Sequence, residues 1–236
     1  MNPPKPLPPV VVLAAGKSSR MGTTKALLSF PCTGGKSFIA TILDTCNTCR
    51  LPTVVVIRPD QKTLAQELDT LAQELTALAQ IPASSTPAST PQLEFSIAEN
   101  PNPDSEMVDS FYLGLAQTPW AKDTGAFIWP VDAPGVRHET LQTLTKLATS
   151  APEKMVVPTY EGKRGHPTFL PNSVVSELIN TPRVNGFVPL EAAIHTLLDR
   201  LHPQIVEIPV DDPMVRANLN RPEDLQEHAL SPPSRL

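Results

Sequence analysis

"VVLAAGKSSRMGTTKALL" (residues 11–28) sets an apolar strand against a loop with two glycines and several basic residues. Residues 10–14 (VVVLA) form a short continuous apolar run bounded by glycine, the pattern of a strand covered on both faces of a parallel sheet. The chain downstream repeats the theme. Apolar runs at 53–58 (TVVVIR), 93–98 (LEFSIA), 126–131 (AFIWPV), 155–159 (MVVPT) and 205–210 (IVEIPV) alternate with helix-like stretches near 36–49, 63–80, 105–117, 137–149, 171–180, 189–200 and 222–229. Strand followed by helix, repeated, predicts an α/β fold, a Rossmann-like three-layer α/β/α sandwich with a mainly parallel sheet.

A length of 236 residues and an apolar fraction of 40% suffice for one generous domain. We expect it to span residues 10–230, with a flexible Pro/Ser/Thr loop at 81–92 and disordered Pro-rich tails at 1–9 and 231–236. A net charge of −5 leaves no diffuse basic field for nucleic acid or an anionic membrane, so any phosphate must be met locally. The start, MNPPKPLPP, is too proline-rich for a signal peptide, and no run approaches the roughly 20 apolar residues of a membrane span. The expected location is cytoplasmic. Three cysteines (Cys32, Cys46, Cys49) are too few for a disulfide framework, and Cys46-x-x-Cys49 closes a helix instead of opening one, which argues against a thioredoxin-type site. The leucines at 64, 68, 71, 75 and 78 make one helix stripe, suited to packing on the sheet or to self-association.

Ligands of open α/β sheets bind beyond the carboxyl ends of the strands, where "AAGKSSRMGTTK" falls. Gly16 and Gly22 permit close backbone approach, amides in such a turn can face anionic oxygens, and Arg20 and Lys25 supply positive charge. Five residues separate Gly16 from Gly22, so the spacing fits neither G-x-x-x-x-G-K-[ST] nor G-x-G-x-x-G. The "GGKS" at 34–37 has Phe30 where the upstream glycine of a P-loop belongs. From the residues alone, the first loop is an anion site.

Leu13 through Leu27 resembles the signature L-A-[AG]-G-x-S-x-R-M-G-x-x-K-x-L of the MobA-like NTP-transferase family. The resemblance implies a fold of the nucleotide-diphospho-sugar transferase type. It also implies that the loop (Leu13, Ala14, Ala15, Gly16, Ser18, Arg20, Gly22, Lys25) wraps a nucleotide triphosphate, with Arg20 on the outer phosphates and Lys25 on the phosphate under attack.

Four downstream segments extend the pattern. In FIWPVDAPGV (127–136), Asp132 stands at the mouth of a buried strand, placed either to hold Mg²⁺ or to cap a turn; it resembles the metal-binding aspartate of the family's D-x-P segment. Asn218 and Asn220 resemble the family's closing D-x-D or N-x-N pair, a second metal ligand set, and equally suit the start of the helix at Pro222; Asp211 and Asp212 add charge nearby. YEGKRGHPTFL (160–170) resembles the G-x-x-G-H-P of the cytidylyltransferase branch, which implies acceptor binding by Arg164, Gly165 and His166; as residues alone it also reads as a surface turn. Asn100 and Ser110 match the family's base-selecting segment, although Glu106, Val108 and Asp109 depart from it. The G-x-R segment is matched only loosely at 185–194, without its arginine.

The resemblance implies attack by an acceptor phosphate on the α-phosphorus of an NTP, with release of pyrophosphate. Arg20, Lys25 and Asp132-bound Mg²⁺ would align and neutralise the reactants, with no nucleophilic side chain. Ala15, in the L-A-A-G form, and the G-H-P turn favour CTP over GTP and a molybdopterin-type acceptor, with a molybdoenzyme maturation partner. A sugar-phosphate or other small-phosphate acceptor, or a non-catalytic nucleotide or cofactor carrier, are the alternatives.

Overall fold

The computed structural model describes residues 6–16, 24–79, 95–102, 107–180, 194–219 and 224. Among the described residues eight strands form one sheet: β1 (Val10–Leu13), β2 (Thr53–Ile57), β3 (Phe95–Glu99), β4 (Ala126–Pro130), β5 (Met155–Tyr160), β6 (Lys163–Arg164), β7 (Thr168–Leu170) and β8 (Ile205–Pro209). Seven α-helices are described: α1 (Phe38–Thr48), α2 (Lys62–Ala79), α3 (Met107–Ala116), α4 (Ala121–Thr124), α5 (His138–Ser150), α6 (Asn172–Asn180) and α7 (Ile194–Leu201). The sheet runs β3-β2-β1-β4-β7-β5-β6, with β8 also paired to β5. Strands β1 to β4 are mutually parallel, and β8 is parallel to β5; β7 runs antiparallel between β4 and β5.

Alternation along the central strands divides the core in two. Val10, Val12, Val55, Ile57, Phe127 and Trp129 face one layer, which holds Ile39 and Ile42 of α1, Leu64 and Leu68 of α2, and Leu141 and Leu144 of α5. Val11, Leu13, Val54, Val56 and Ile128 face the other, with Phe111 of α3, Val174 and Leu178 of α6, and Leu197 of α7. Both faces are covered, so every position of β1, β2 and β4 is buried, the three-layer arrangement the apolar runs predict. Helix α3 lies so close to β1 that a Cβ on Gly114 would sit 2.3 Å from Val11 Cγ1.

Several sequence boundaries shift. Residues 6–9, expected in the N-terminal tail, pack on the fold: Pro8 and Pro9 are buried, Phe127 N donates to Pro9 O at 2.8 Å, and Trp120 Nε1 donates to Leu7 O at 3.3 Å. The short β6 and β7 and the one-turn α4 escape sequence reading because they are too short for a period to show. The 81–92 loop, the C-terminal tail and, apart from Asp224, the 222–229 helix lie outside the described residues. Of the leucine stripe, Leu64 and Leu68 are buried in the core and Leu71 packs against it.

The GGKS stretch is a turn leading into α1. Gly34 and Gly35 take φ of 68° and 93°, Phe30 N donates to Lys36 O at 2.8 Å, and Ser37 caps α1 by accepting from Ala40 N at 3.2 Å. At the other end of α1, burial pushes the Cys46 thiol up to about 12 and the Cys49 thiol up to about 11, so both stay protonated and poorly nucleophilic.

Candidate active site

Strand order changes direction between β1 and β4: β2 and β3 continue on one side of β1, while the chain returns on the other to form β4. The crevice beyond their carboxyl ends is where a ligand meets an open α/β sheet. Val131 N donates to Leu13 O at 3.2 Å, so the exits of β1 and β4 are still joined where the two loops begin.

Asp132 follows β4 on a turn held by the buried Trp129 indole, whose Nε1 donates to Ala133 O at 2.9 Å. Among the described residues its carboxylate caps no helix, the helix that follows having Arg137 at its N-cap. Its charged partner at contact distance among the described residues is Lys25, with Nζ 3.8 Å from Oδ2 and the two side chains 20% and 25% exposed. Lys25 opens a 3₁₀ turn, Lys25–Leu27, whose Ala26 is buried, so the returning end of the first loop is anchored in the core. A cation and an anion therefore stand side by side, half-open to solvent, at the switch point of the sheet.

The G-H-P turn comes to the same place. Residues 161 and 162 join β5 to β6 with φ of 50° and 71°, a tight two-residue reversal. Gly165 N then donates to Pro158 O at 2.9 Å and His166 N to Val215 O at 2.7 Å. A Cβ on Gly165 would lie 2.1 Å from Val215 O, so glycine is required by close approach. The Nδ1 of His166 is buried without a hydrogen-bond partner among the described residues. Burial lowers the His166 pKa below its ordinary value, and the nearby Asp132 charge opposes that shift. The imidazole is neutral at neutral pH. Arg164 is turned elsewhere, held by Glu207 of β8 at 2.7 Å on an exposed edge.

The segment 211–219 ties these parts together. Leu219 N donates to Asp132 O at 2.9 Å, which brings Asn218 beside the aspartate; Asn220 lies outside the described residues. Asp212, read from sequence as nearby charge, is a structural pin: it is 1% exposed and accepts from Arg137 N at 2.9 Å, Thr140 Oγ1 at 2.8 Å and Met214 N at 3.1 Å. Asn100 and Ser110 meet at the end of β3, where Asn100 Nδ2 donates to Ser110 Oγ at 2.9 Å and Asn100 Oδ1 accepts from Asn102 N at 3.1 Å. Both are buried, so they shape that corner from within. Ser18, Arg20 and Gly22 lie outside the described residues, whereas Leu13, Ala14, Ala15 and Gly16 lead out of β1 into the crevice.

Sequence reasoning missed Arg58 and Gln61. Gln61 Nε2 donates to Ala14 O at 3.0 Å and Arg58 Nη1 to Ala15 O at 3.4 Å, so the turn after β2 grips the root of the first loop. Their position at the carboxyl end of the neighbouring strand was the available signal.

The family model for the MobA-like NTP transferase domain matches residues 10–204. The chain belongs to the MobA-like NTP transferase family. Membership makes it a nucleotidyltransferase, and the match covers β1, the first loop, Asp132 and the G-H-P turn. Among solved structures, this MobA-like protein is similar to Rv0371c from Mycobacterium tuberculosis H37Rv, at 21% identity and a TM-score of 0.64 over 95% of this chain and 99% of that one. Rv0371c has also been solved in complex with manganese, a structure matched at 18% identity and a TM-score of 0.59 over 96% and 99% of the two chains. Molybdopterin-guanine dinucleotide biosynthesis protein A from Archaeoglobus fulgidus matches at 20% identity and a TM-score of 0.60 over 94% and 96%. At these identities the likeness establishes the fold. No curated protein sequence matches the chain.

Among the described residues, no three His, Cys, Asp or Glu side chains are grouped to hold a metal, and no helix is long and apolar enough to cross a membrane. A part-exposed carboxylate such as Asp132 nonetheless suits a hard divalent cation, which commonly takes one or two protein carboxylates and completes its shell with substrate phosphates and water.

Proposed function

We propose that the protein transfers an NMP group from an NTP to a phosphorylated acceptor, with CTP the favoured nucleotide and a molybdopterin-type phosphate the favoured acceptor. The observation that carries this reading is the Lys25–Asp132 pair, 3.8 Å apart at the β1/β4 crevice. In the reaction an acceptor phosphate oxygen forms a bond to the α-phosphorus, the bond from that phosphorus to the β-phosphate bridging oxygen breaks, and pyrophosphate leaves. No side-chain base is needed, because a phosphate monoester is already largely dianionic at neutral pH, its second pKa being about 6.

Lys25 neutralises charge on the phosphate under attack, and Arg20 holds the outer phosphates. Asp132, supported by Asn218 and Asn220, would hold Mg²⁺, which supplies charge neutralisation and alignment when bound. Lys25, with Nζ 3.8 Å from Asp132 Oδ2, also stands beside the carboxylate that would hold the metal. Gly165 and His166 face the acceptor. The neutral imidazole suits a hydrogen bond to the acceptor, and Asn100 with Ser110 backs the base. The L-A-A-G form at Ala15 and the G-H-P turn support the cytidylyl preference, and a molybdoenzyme is the fitting downstream partner. The free Cys46 and Cys49 suit a reducing, cytoplasmic setting.

A panel of NTPs, with and without Mg²⁺, tests the reading by thermal shift and then by pyrophosphate release with phosphorylated acceptors. CTP is expected to give the largest Mg²⁺-dependent shift. Asp132→Ala is expected to lower release by roughly 10²–10³. Nucleotide binding without turnover on any acceptor would favour a carrier, and turnover with a sugar phosphate alone would replace the molybdopterin reading.

A further inference from the structure

We infer that Gln61 and Arg58 are positioning residues that turn two consecutive backbone amides, Ala15 N–H and Gly16 N–H, toward the crevice as phosphate donors. The inference rests on the reading of the first loop as a triphosphate site and adds to it the side chains that shape the loop.

The argument begins with the alternation of a strand. Carbonyls of successive residues in an extended strand point to opposite neighbours. Leu13 O faces β4, where it accepts from Val131 N. Ala14 turns to β2: its N donates to Val56 O at 2.9 Å, and its carbonyl accepts from Gln61 Nε2 at 3.0 Å. A continuing strand would send Ala15 O back toward β4. It instead stays on the β2 side, accepting from Arg58 Nη1 at 3.4 Å. Two carbonyls in succession therefore face the β2–α2 turn.

A trans peptide is planar, with its N–H opposed to the preceding C=O. With Ala14 O and Ala15 O both drawn toward the β2–α2 turn, the N–H groups of Ala15 and Gly16 both point away from it. Since β1 lies between β2 and β4, that direction is the β4 side, where Lys25 and Asp132 stand. Among the described residues neither amide is engaged in a hydrogen bond. Gly16 is exposed, and nothing lies within 4 Å of where its Cβ would be. Successive amides facing one point make an anion-receiving concavity.

The grip is itself braced. Gln61 is 6% exposed, and its Oε1 accepts from Arg58 N at 2.7 Å, which fixes the amide so that Nε2 faces Ala14. Asp60 accepts from Arg58 Nε at 2.9 Å and Nη2 at 3.3 Å, leaving Nη1 for Ala15. The same hydrogen bonds hold the Asp60 carboxyl below its ordinary pKa.

The test is binding of inorganic tripolyphosphate and of each NTP, with Mg²⁺, to the full chain by calorimetry, with amide NMR shifts of Ala15 and Gly16 as the site-specific readout. Gln61→Glu keeps the acceptor for Arg58 N and removes the donor to Ala14 O. It is expected to weaken tripolyphosphate and every NTP by a common factor of about tenfold or more, and to remove the downfield shifts that both amides show on tripolyphosphate addition to the wild type. Arg58→Gln is expected to weaken binding in the same base-independent way, and it carries the test if Gln61→Glu does not fold. Lys62→Ala, which alters charge on the same turn, should bind as the wild type does. Unchanged tripolyphosphate affinity and amide shifts in a folded variant overturn the inference, as does a loss confined to one NTP, which would make Arg58 a base reader. If the wild type itself binds neither tripolyphosphate nor any NTP, the reading of the loop fails instead.

Discussion

Two stretches of this chain carry adjacent glycine and lysine, and the fold uses them in opposite ways. At 34–37 the polar groups close on one another: Phe30 N meets Lys36 O, Ser37 caps α1, and Lys36 pairs with Asp44. At 14–16 the chain leaves the carboxyl edge of the sheet, the Ala14 and Ala15 carbonyls are held from behind by Gln61 and Arg58, and Lys25, further along, stands beside Asp132. The two stretches differ in what precedes them and in what lies behind: the one at 14–16 leaves a buried strand, and side chains of the β2–α2 turn hold its Ala14 and Ala15 carbonyls.

The largest expected break in this comparison is Asp132→Ala, which should lower pyrophosphate release by roughly 10²–10³, while leaving the folded protein intact by circular dichroism. Gly165→Ala comes next. It forces a Cβ against Val215 O and should cost about 2–3 kcal/mol in denaturant unfolding, an overpacking penalty at a backbone contact. Ser37→Ala removes the α1 cap in the other stretch and should cost about 1 kcal/mol by the same measurement, with turnover unchanged.

A smaller effect comes from pH. The His166 pKa is lower folded than unfolded, so the unfolded chain takes up a proton first as pH falls below about 6.5, and stability declines there. In His166→Gln this part of the decline should vanish from a pH series of unfolding curves. Least of all, Lys36→Ala removes an exposed ion pair and should shift stability by less than ~0.5 kcal/mol. A loss of turnover in Lys36→Ala would show that the second stretch is not the inert turn its hydrogen bonds describe.

The predicted strands at 10–14, 53–58, 126–131 and 205–210 and the helices at 36–49, 63–80 and 137–149 all appear, with ends moved by one or two residues. The first three strands were legible because buried parallel strands are apolar throughout, 205–210 because its Ile and Val alternate along an exposed strand, and the helices because amphipathic helices keep their period. Asp132 and the G-H-P turn were legible as motifs. The structure brings His166 and Asp132 together through a segment far away in sequence, with Val215 O on His166 N and Leu219 N on Asp132 O. Asp212 illustrates the opposite outcome. A carboxylate beside a candidate metal ligand looked like added charge, and three hydrogen bonds make it a brace for α5 and the 213–216 turn.

The sequence by itself determined the layer order and the family, because periodicity and short motifs are local properties of the chain. Only the tertiary structure decided which groups face one another. Arg164 reads as acceptor-binding and is held by Glu207; Arg58 and Gln61 carry no motif, yet hold the Ala15 and Ala14 carbonyls. Those outcomes depend on strand register and on carbonyl direction at the exit of β1, which are set when distant strands pair and cannot be read from residue spacing alone.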